Sequence, residues 1–93
     1  MKSLHWNPQK NIQLIQERGV SFEAVELAIA QGYLLDILKH PNSEKYPNQR
    51  IFVIKIDNYA YVVPFVEDNE SIFFKTIIPS RKMTRLYLKE EKA

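Results

Sequence analysis

The sequence predicts an α+β domain, and three observations carry that prediction. Two short segments near the start each join a helix cap to an apolar stripe and a glycine stop. Three runs rich in β-branched and aromatic residues follow at hairpin spacing, over 50–56, 59–66 and 71–78. A basic segment then closes the chain behind Pro79-Ser80, where Ser80 can cap a last helix. Two N-terminal helices, an antiparallel sheet of four to five strands and a C-terminal helix make the class α+β. The 93 residues form a single domain, 1–93, because a chain of this length has no room for two cores.

Residues 3–6 read as a short strand that ends at Asn7-Pro8, a favoured cap followed by a favoured first helical residue. The helix so opened runs to about Arg18, with Ile12 and Ile15 as its apolar stripe, Leu14 beside it, and Gly19 as its left-handed stop. Ser21 caps a second helix whose buried face is Phe22, Val25, Ala28 and Ile29, ending at Gly32. The joint is two residues long, so the pair forms a helical hairpin. Residues 33–38 (YLLDIL) read as a strand, and 39–49, rich in Pro, Asn and charge, as the longest loop. Asp57-Asn58 and residues 67–70 (EDNE) are hairpin turns. Pro64 cannot donate to a ladder, so its strand should be edge-like or bulged there. The final helix is expected to reach about residue 91.

A turn at Asp57-Asn58 sets Ile56 opposite Tyr59 and Ile54 opposite Tyr61. A turn at 67–70 sets Tyr61 opposite Thr76 and Val62 opposite Lys75. One sheet face then carries Arg50, Phe52, Ile54, Tyr61, Phe65, Phe74 and Thr76. The other carries Ile51, Val53, Lys55, Ala60, Val62, Phe73, Lys75 and Ile77. A slip of one residue in either hairpin would exchange the sides. Cations beside so apolar a sheet must reach water, a carboxylate or a ligand.

Composition narrows the function. At 45% hydrophobic and 26% charged residues the chain is globular rather than disordered. It has no cysteine, so disulfides and thiolate metal sites are excluded. No apolar run has signal-peptide or membrane-spanning length, and the expected location is the cytoplasm, with no membrane partner. The net charge of +2 is unevenly spread. Residues 75–93 hold six cations and two acids, which leaves that segment at +4 and the rest at −2. Such a basic end suits an anionic partner.

Arg81, Lys82 and Arg85 open the last helix, where cations oppose the helix dipole unless an anion sits among them. The plain alternative is a solvated face with carboxylate neighbours such as Glu67 or Asp68, within an acidic cluster (Glu67, Asp68, Glu70) that reads as a solvated turn. Trp6, with Lys10 one turn along, either stacks on a base beside a phosphate or anchors the first helix at the core edge. His5 and His40 lack partners at metal-ligand spacing, so no metal is expected. No phosphate loop, nucleophile elbow or acidic pair is present, and no cofactor is expected. One chemistry fits few acids and several cations: RNA cleavage by attack of its own 2′-hydroxyl, which needs alignment and charge stabilisation from the protein. Arg50 and Arg81 are candidates to hold the phosphate, and Lys75 or Tyr61 to take the proton.

Four stretches taken in order, LHWNPQKN, RGVSFEAV, NQRIFVI and IIPSRKMTRLYLK, resemble the BrnT-type ribonuclease toxins of bacterial toxin–antitoxin pairs. The resemblance covers nearly the whole chain. It implies a compact RelE-like fold, an RNA substrate, and neutralisation by a small antitoxin with a ribbon-helix-helix DNA-binding part. It also implies that operator DNA is bound only through the toxin–antitoxin complex. By position, Trp6 and Lys10 match the family's tryptophan and lysine near the start, Arg50 its strand-opening arginine, and Arg81 the arginine after the last strand. Asn7 stands where Asp is usual, Thr76 where a further strand arginine is common, and the 40–49 loop is less acidic than expected. These departures keep a second expectation open, a non-catalytic binding or regulatory module on the same fold.

Overall fold

Asn7 starts the helical part of the chain, its side chain accepting from the amides of Gln9 and Lys10 while Pro8 takes the first helical position. The computed structural model describes residues 2–88. It places α1 at Pro8–Arg18, closed by Gly19 at φ +67°, and α2 at Phe22–Ala30, capped by Ser21. The strands are β1 (Ser3–His5), β2 (Leu34–Lys39), β3 (Gln49–Ile56), β4 (Tyr59–Glu67), β5 (Ser71–Phe74) and β6 (Ile78–Pro79). The closing helix α3 spans Arg81–Leu88, with Ser80 Oγ accepting from the Met83 amide. The expected stretch toward residue 91 lies outside the described residues.

The strand order is β1-β5-β4-β3-β2, with β6 also paired to β4. β1 runs parallel to β5, so the sheet is mixed rather than antiparallel throughout. This corrects the sequence expectation, which had no signal for where a three-residue strand would pair.

Asp57 and Asn58 both sit at positive φ (54° and 63°), as a tight two-residue hairpin turn requires, and Ile56 and Ile54 lie opposite Tyr59 and Tyr61 as expected. The next hairpin differs. Asp68 Oδ1 accepts from the Glu70 amide, the Ser71 amide and the Ser71 hydroxyl, which closes the turn around Asn69-Glu70. Phe65 therefore faces Phe74 and Glu67 faces Ile72, two residues away from the expected register. A two-residue shift preserves the faces, but it draws Glu67 out of the loop and into the strand.

The expected strand 71–78 is broken in two. Pro64 lies in the middle of β4, opposite Ile51, and its carbonyl accepts from the Lys75 amide. The donor Pro64 lacks would point to that same side, and there the ladder fails between β5 and β6. The chain turns at 75–77, and Ile77 is buried in the helix-covered core instead of on the opposite face.

Helices α1 and α2 cover one face, packing Leu14, Phe22, Val25 and Ala28 onto Phe52, Ile54, Val63, Phe65 and Phe74. On α1 the inward residues are Asn11 and Leu14, whereas Ile12 and Ile15 are exposed. The stripe expected from the isoleucines is thus rotated. The reason is polar: Asn11 Oδ1 accepts from the Phe22 amide at 2.8 Å while its Nδ2 donates to Glu23 at 2.8 Å, locking α1 to the start of α2. Helix α3 covers part of the other face, where Leu88 and Met83 meet Val53, Ala60 and Val62. The Tyr87 hydroxyl donates to Asp36 at 2.5 Å and ties α3 to β2.

Asn11→Ala leaves the buried Phe22 amide without an acceptor, and should destabilise the domain by about 1–3 kcal/mol in denaturant unfolding. A loss of only a few tenths would show that the helix pair does not depend on this bond.

Candidate functional site

The alternation of β4 sends Tyr61, Val63, Phe65 and Glu67 to the side of α1 and α2, so the strand ends on that face with a carboxylate. Two cations converge on it. Arg50, in β3, donates from Nε at 2.8 Å and lies 2.6 Å away through Nη2, both to Glu67 Oε2. Lys2 Nζ, ahead of β1, donates to Glu67 Oε1 at 2.9 Å. Beneath, the Phe65 ring lies 5.5 Å from the guanidinium carbon. On the other flank Lys39 is the cross-strand partner of Arg50, a like-charge pairing that Glu67 offsets.

This cluster is pinned yet open. The Arg50 side chain is 42% exposed while the Glu67 side chain is 19% exposed. The carboxylate is thus the better-buried partner, and the guanidinium keeps donors toward solvent. Arg presents five N–H donors, so two bonds to Glu67 leave others for an incoming oxyanion.

Arg81 lies elsewhere. The Ser80 amide bonds to the Ala60 carbonyl, whereas Arg50 pairs with Phe65. Five positions of β4, roughly 17 Å, separate those anchor points, and Arg81 opens the helix that packs on the opposite face. The two arginines are therefore not brought to one phosphate. Arg81, Lys82 and Arg85 are all exposed, and among the described residues no carboxylate pairs with them. The neighbours suggested by sequence are engaged elsewhere, Glu67 with Lys2 and Arg50, and Asp68 in its own turn.

The remaining candidates are dispersed. Tyr61 is half-buried on the α1/α2 face, edge-on to Tyr59 and opposite Pro79. Lys75 is exposed just after β5. Trp6 stacks with Phe22 and Phe74, at centroid distances of 5.6 and 6.1 Å, and packs against the core. Its ring braces the junction of β1, β5 and α2, which is the core-edge alternative of the two the sequence left open. Lys10 is half-buried in the first turn of α1. Sequence reasoning missed Glu67 as a site residue. The available signal was its place directly after an alternating strand, which a turn one residue later would have made inward-facing.

Residues 6–86 match the family model described as ribonuclease toxin, BrnT, of type II toxin–antitoxin system. Comparison with curated proteins and with solved structures returned no match. Among the described residues no helix is long and apolar enough to cross a membrane.

The hydrogen bond from Lys2, seconded by the bond and charge of Arg50, holds the Glu67 carboxyl below its ordinary range, against the opposing cost of burial. A carboxyl depressed on folding adds stability above its unfolded pKa, and this is lost as pH falls through the folded value. Glu67→Gln should therefore lower stability at neutral pH and flatten its decline in acid, as read from urea unfolding at the two conditions. An acid decline as steep as that of the unmodified chain would show that Glu67 does not carry it.

Proposed function

Since the chain belongs to the BrnT ribonuclease toxins of type II toxin–antitoxin systems, we propose that it is an RNA-cleaving toxin whose reacting phosphate is gripped at Arg50. The observation that carries this reading is the Glu67 clamp, which fixes a guanidinium in place while leaving it open to solvent. A preset donor of this kind suits the charge that grows on phosphorus in the transition state. In the proposed step the RNA 2′-oxygen attacks the adjacent phosphorus and the bond to the 5′-oxygen breaks. The products are a 2′,3′-cyclic phosphate and a 5′-hydroxyl end. No metal is needed for that step, because the substrate supplies its own nucleophile.

The 2′-hydroxyl proton needs an acceptor. Of the groups considered, Lys75 and Tyr61 are the sequence candidates, and Glu67 is an ionised carboxylate that already touches Arg50. We assign the role to Glu67, which stays bonded to Arg50 and Lys2 while the remaining guanidinium donors meet the phosphate oxygens; the proton it takes passes on to the departing 5′-oxygen. Arg81, Lys82 and Arg85 serve phosphates flanking the cleaved one, and Lys10 lies at the start of α1 as a further contact. The chain acts in the cytoplasm as a RelE-like toxin, silenced by a small antitoxin of ribbon-helix-helix type through which operator DNA is bound.

A second reading, a binding module without turnover, is favoured by the same ion pair, because Glu67 already neutralises Arg50. The two readings part on one experiment. Purified protein should cut RNA in the presence of a chelator, and Arg50→Ala should slow cutting by about 10²–10³-fold with the fold intact. RNA that is bound but never cut would select the module; unchanged cutting by Arg50→Ala would remove Arg50 from the site. For the flanking contacts, Arg81→Ala should flatten the salt dependence of RNA binding by about one phosphate's worth. An unaltered slope would take Arg81 off the RNA.

A further inference from the structure

On the sheet face that α3 only partly covers, Val62, Pro64 and Val66 of β4 lie beside Ile78 of β6, Lys75 and Phe73 of β5 respectively. Phe73 is 43% exposed and Ile78 40%, while Pro64 and Val66 are half-buried. Lys75, exposed, sits between the two, its amide on the Pro64 carbonyl. The result is a connected apolar strip along β4, β5 and β6, with a cation at its middle.

The charge on this side is mostly positive. The alternation of the strands brings Lys55 here, Lys75 follows β5, and α3 adds Arg81, Lys82 and Arg85. Among the described residues, Asp36 is the strand carboxylate that alternation places on this face, and it is bonded to Tyr87. Asp57 lies in the β3–β4 turn, Asp68 and Glu70 in the β4–β5 turn, where the Asp68 carboxylate is taken up by the turn amides, and Glu17, Glu23, Glu26 and Glu67 belong to α1, α2 and the opposite side. An occupant of this surface must therefore be apolar where it meets Phe73 and Ile78 and acidic where it meets Lys75 and α3.

Building on the toxin–antitoxin reading, we propose that this strip is the docking surface for an acidic amphipathic segment of the antitoxin. A protein segment fits better than RNA, because the strip offers aliphatic and aromatic contact around a single lysine, whereas the pinned guanidinium lies on the other face. Acidic residues of that segment would occupy the α3 cations and displace flanking RNA phosphates. Docking on one face thereby silences a site on the other.

The test uses the full chain and its cognate antitoxin, identified as the protein that co-purifies with the chain and restores growth to cells expressing it. Phe73→Glu and, independently, Ile78→Glu should each weaken that complex by about thirtyfold or more. RNA cleavage by the free variants should stay at the wild-type rate. In the unmodified complex, hydrogen exchange should slow across residues 71–80. Undiminished binding by a folded variant, or no added protection in 71–80, would overturn the proposal. So would loss of RNA cleavage with antitoxin binding intact, which assigns the strip to RNA, or conversion of a wild-type dimer to monomers, which assigns it to a second copy. Failure of the free wild-type chain to cut RNA is a separate result and bears on the toxin reading alone.

Discussion

The alternation of β4 is the constraint on which the rest of the molecule depends. One set of its side chains, Tyr61, Val63, Phe65 and Glu67, faces the two N-terminal helices; the other, Ala60, Val62, Pro64 and Val66, faces α3 or solvent. The first set builds the main core and ends in the carboxylate that clamps Arg50 and Lys2. The second set gives α3 its seat and then runs on as the open apolar strip. Both surfaces with functional interest follow from one strand having a residue parity that its two hairpins preserve.

That parity is also what made the fold legible. Asp57-Asn58 is a turn whose two residues tolerate positive φ, so the sequence suffices to pair β3 and β4 residue by residue. The second hairpin lies two residues from the register its turn sequence suggests, and since two is the period of a strand, β5 keeps its expected faces. The break at 75–77 was announced only by Pro64, whose missing donor could be read as a bulge but not as the end of a strand. On α1, hydrophobicity pointed to Ile12 and Ile15, and the decision fell instead to the amide of Asn11, buried because it serves Phe22 and Glu23. Periodicity of apolar residues carries no information about such a bond. The parallel pairing of β1 was unreadable for a similar reason: three residues have no pattern long enough to choose a neighbour.

The candidate site was legible in its residue types and not in its grouping. Arg50 and Arg81 stand out in the sequence as arginines next to strands, yet Arg50 pairs with Phe65 near one end of β4, whereas Arg81 follows Ser80, which bonds to Ala60 near the other end, and opens a helix on the other face. Glu67 was hidden in an acidic turn motif, and only the carboxylate of Asp68, by taking over the turn, freed it for the strand. The ion pairs it makes are partly exposed, where such pairs contribute little to stability. Their consequence is geometric: two strands and the segment ahead of β1, through Glu67, Arg50 and Lys2, hold one guanidinium in a fixed direction.

The direct test of that central claim is to watch the guanidinium itself. NMR of the arginine Nε–H signals, during titration with an RNA oligonucleotide whose 2′-hydroxyls are methylated to block cleavage, reads each arginine separately. The clamp predicts that the Arg50 signal is visible and protected before RNA is added, and that it moves as a phosphate occupies the donors that Glu67 leaves free. An Arg50 signal unmoved at saturating RNA, while those of Arg81 and Arg85 shift, would contradict it.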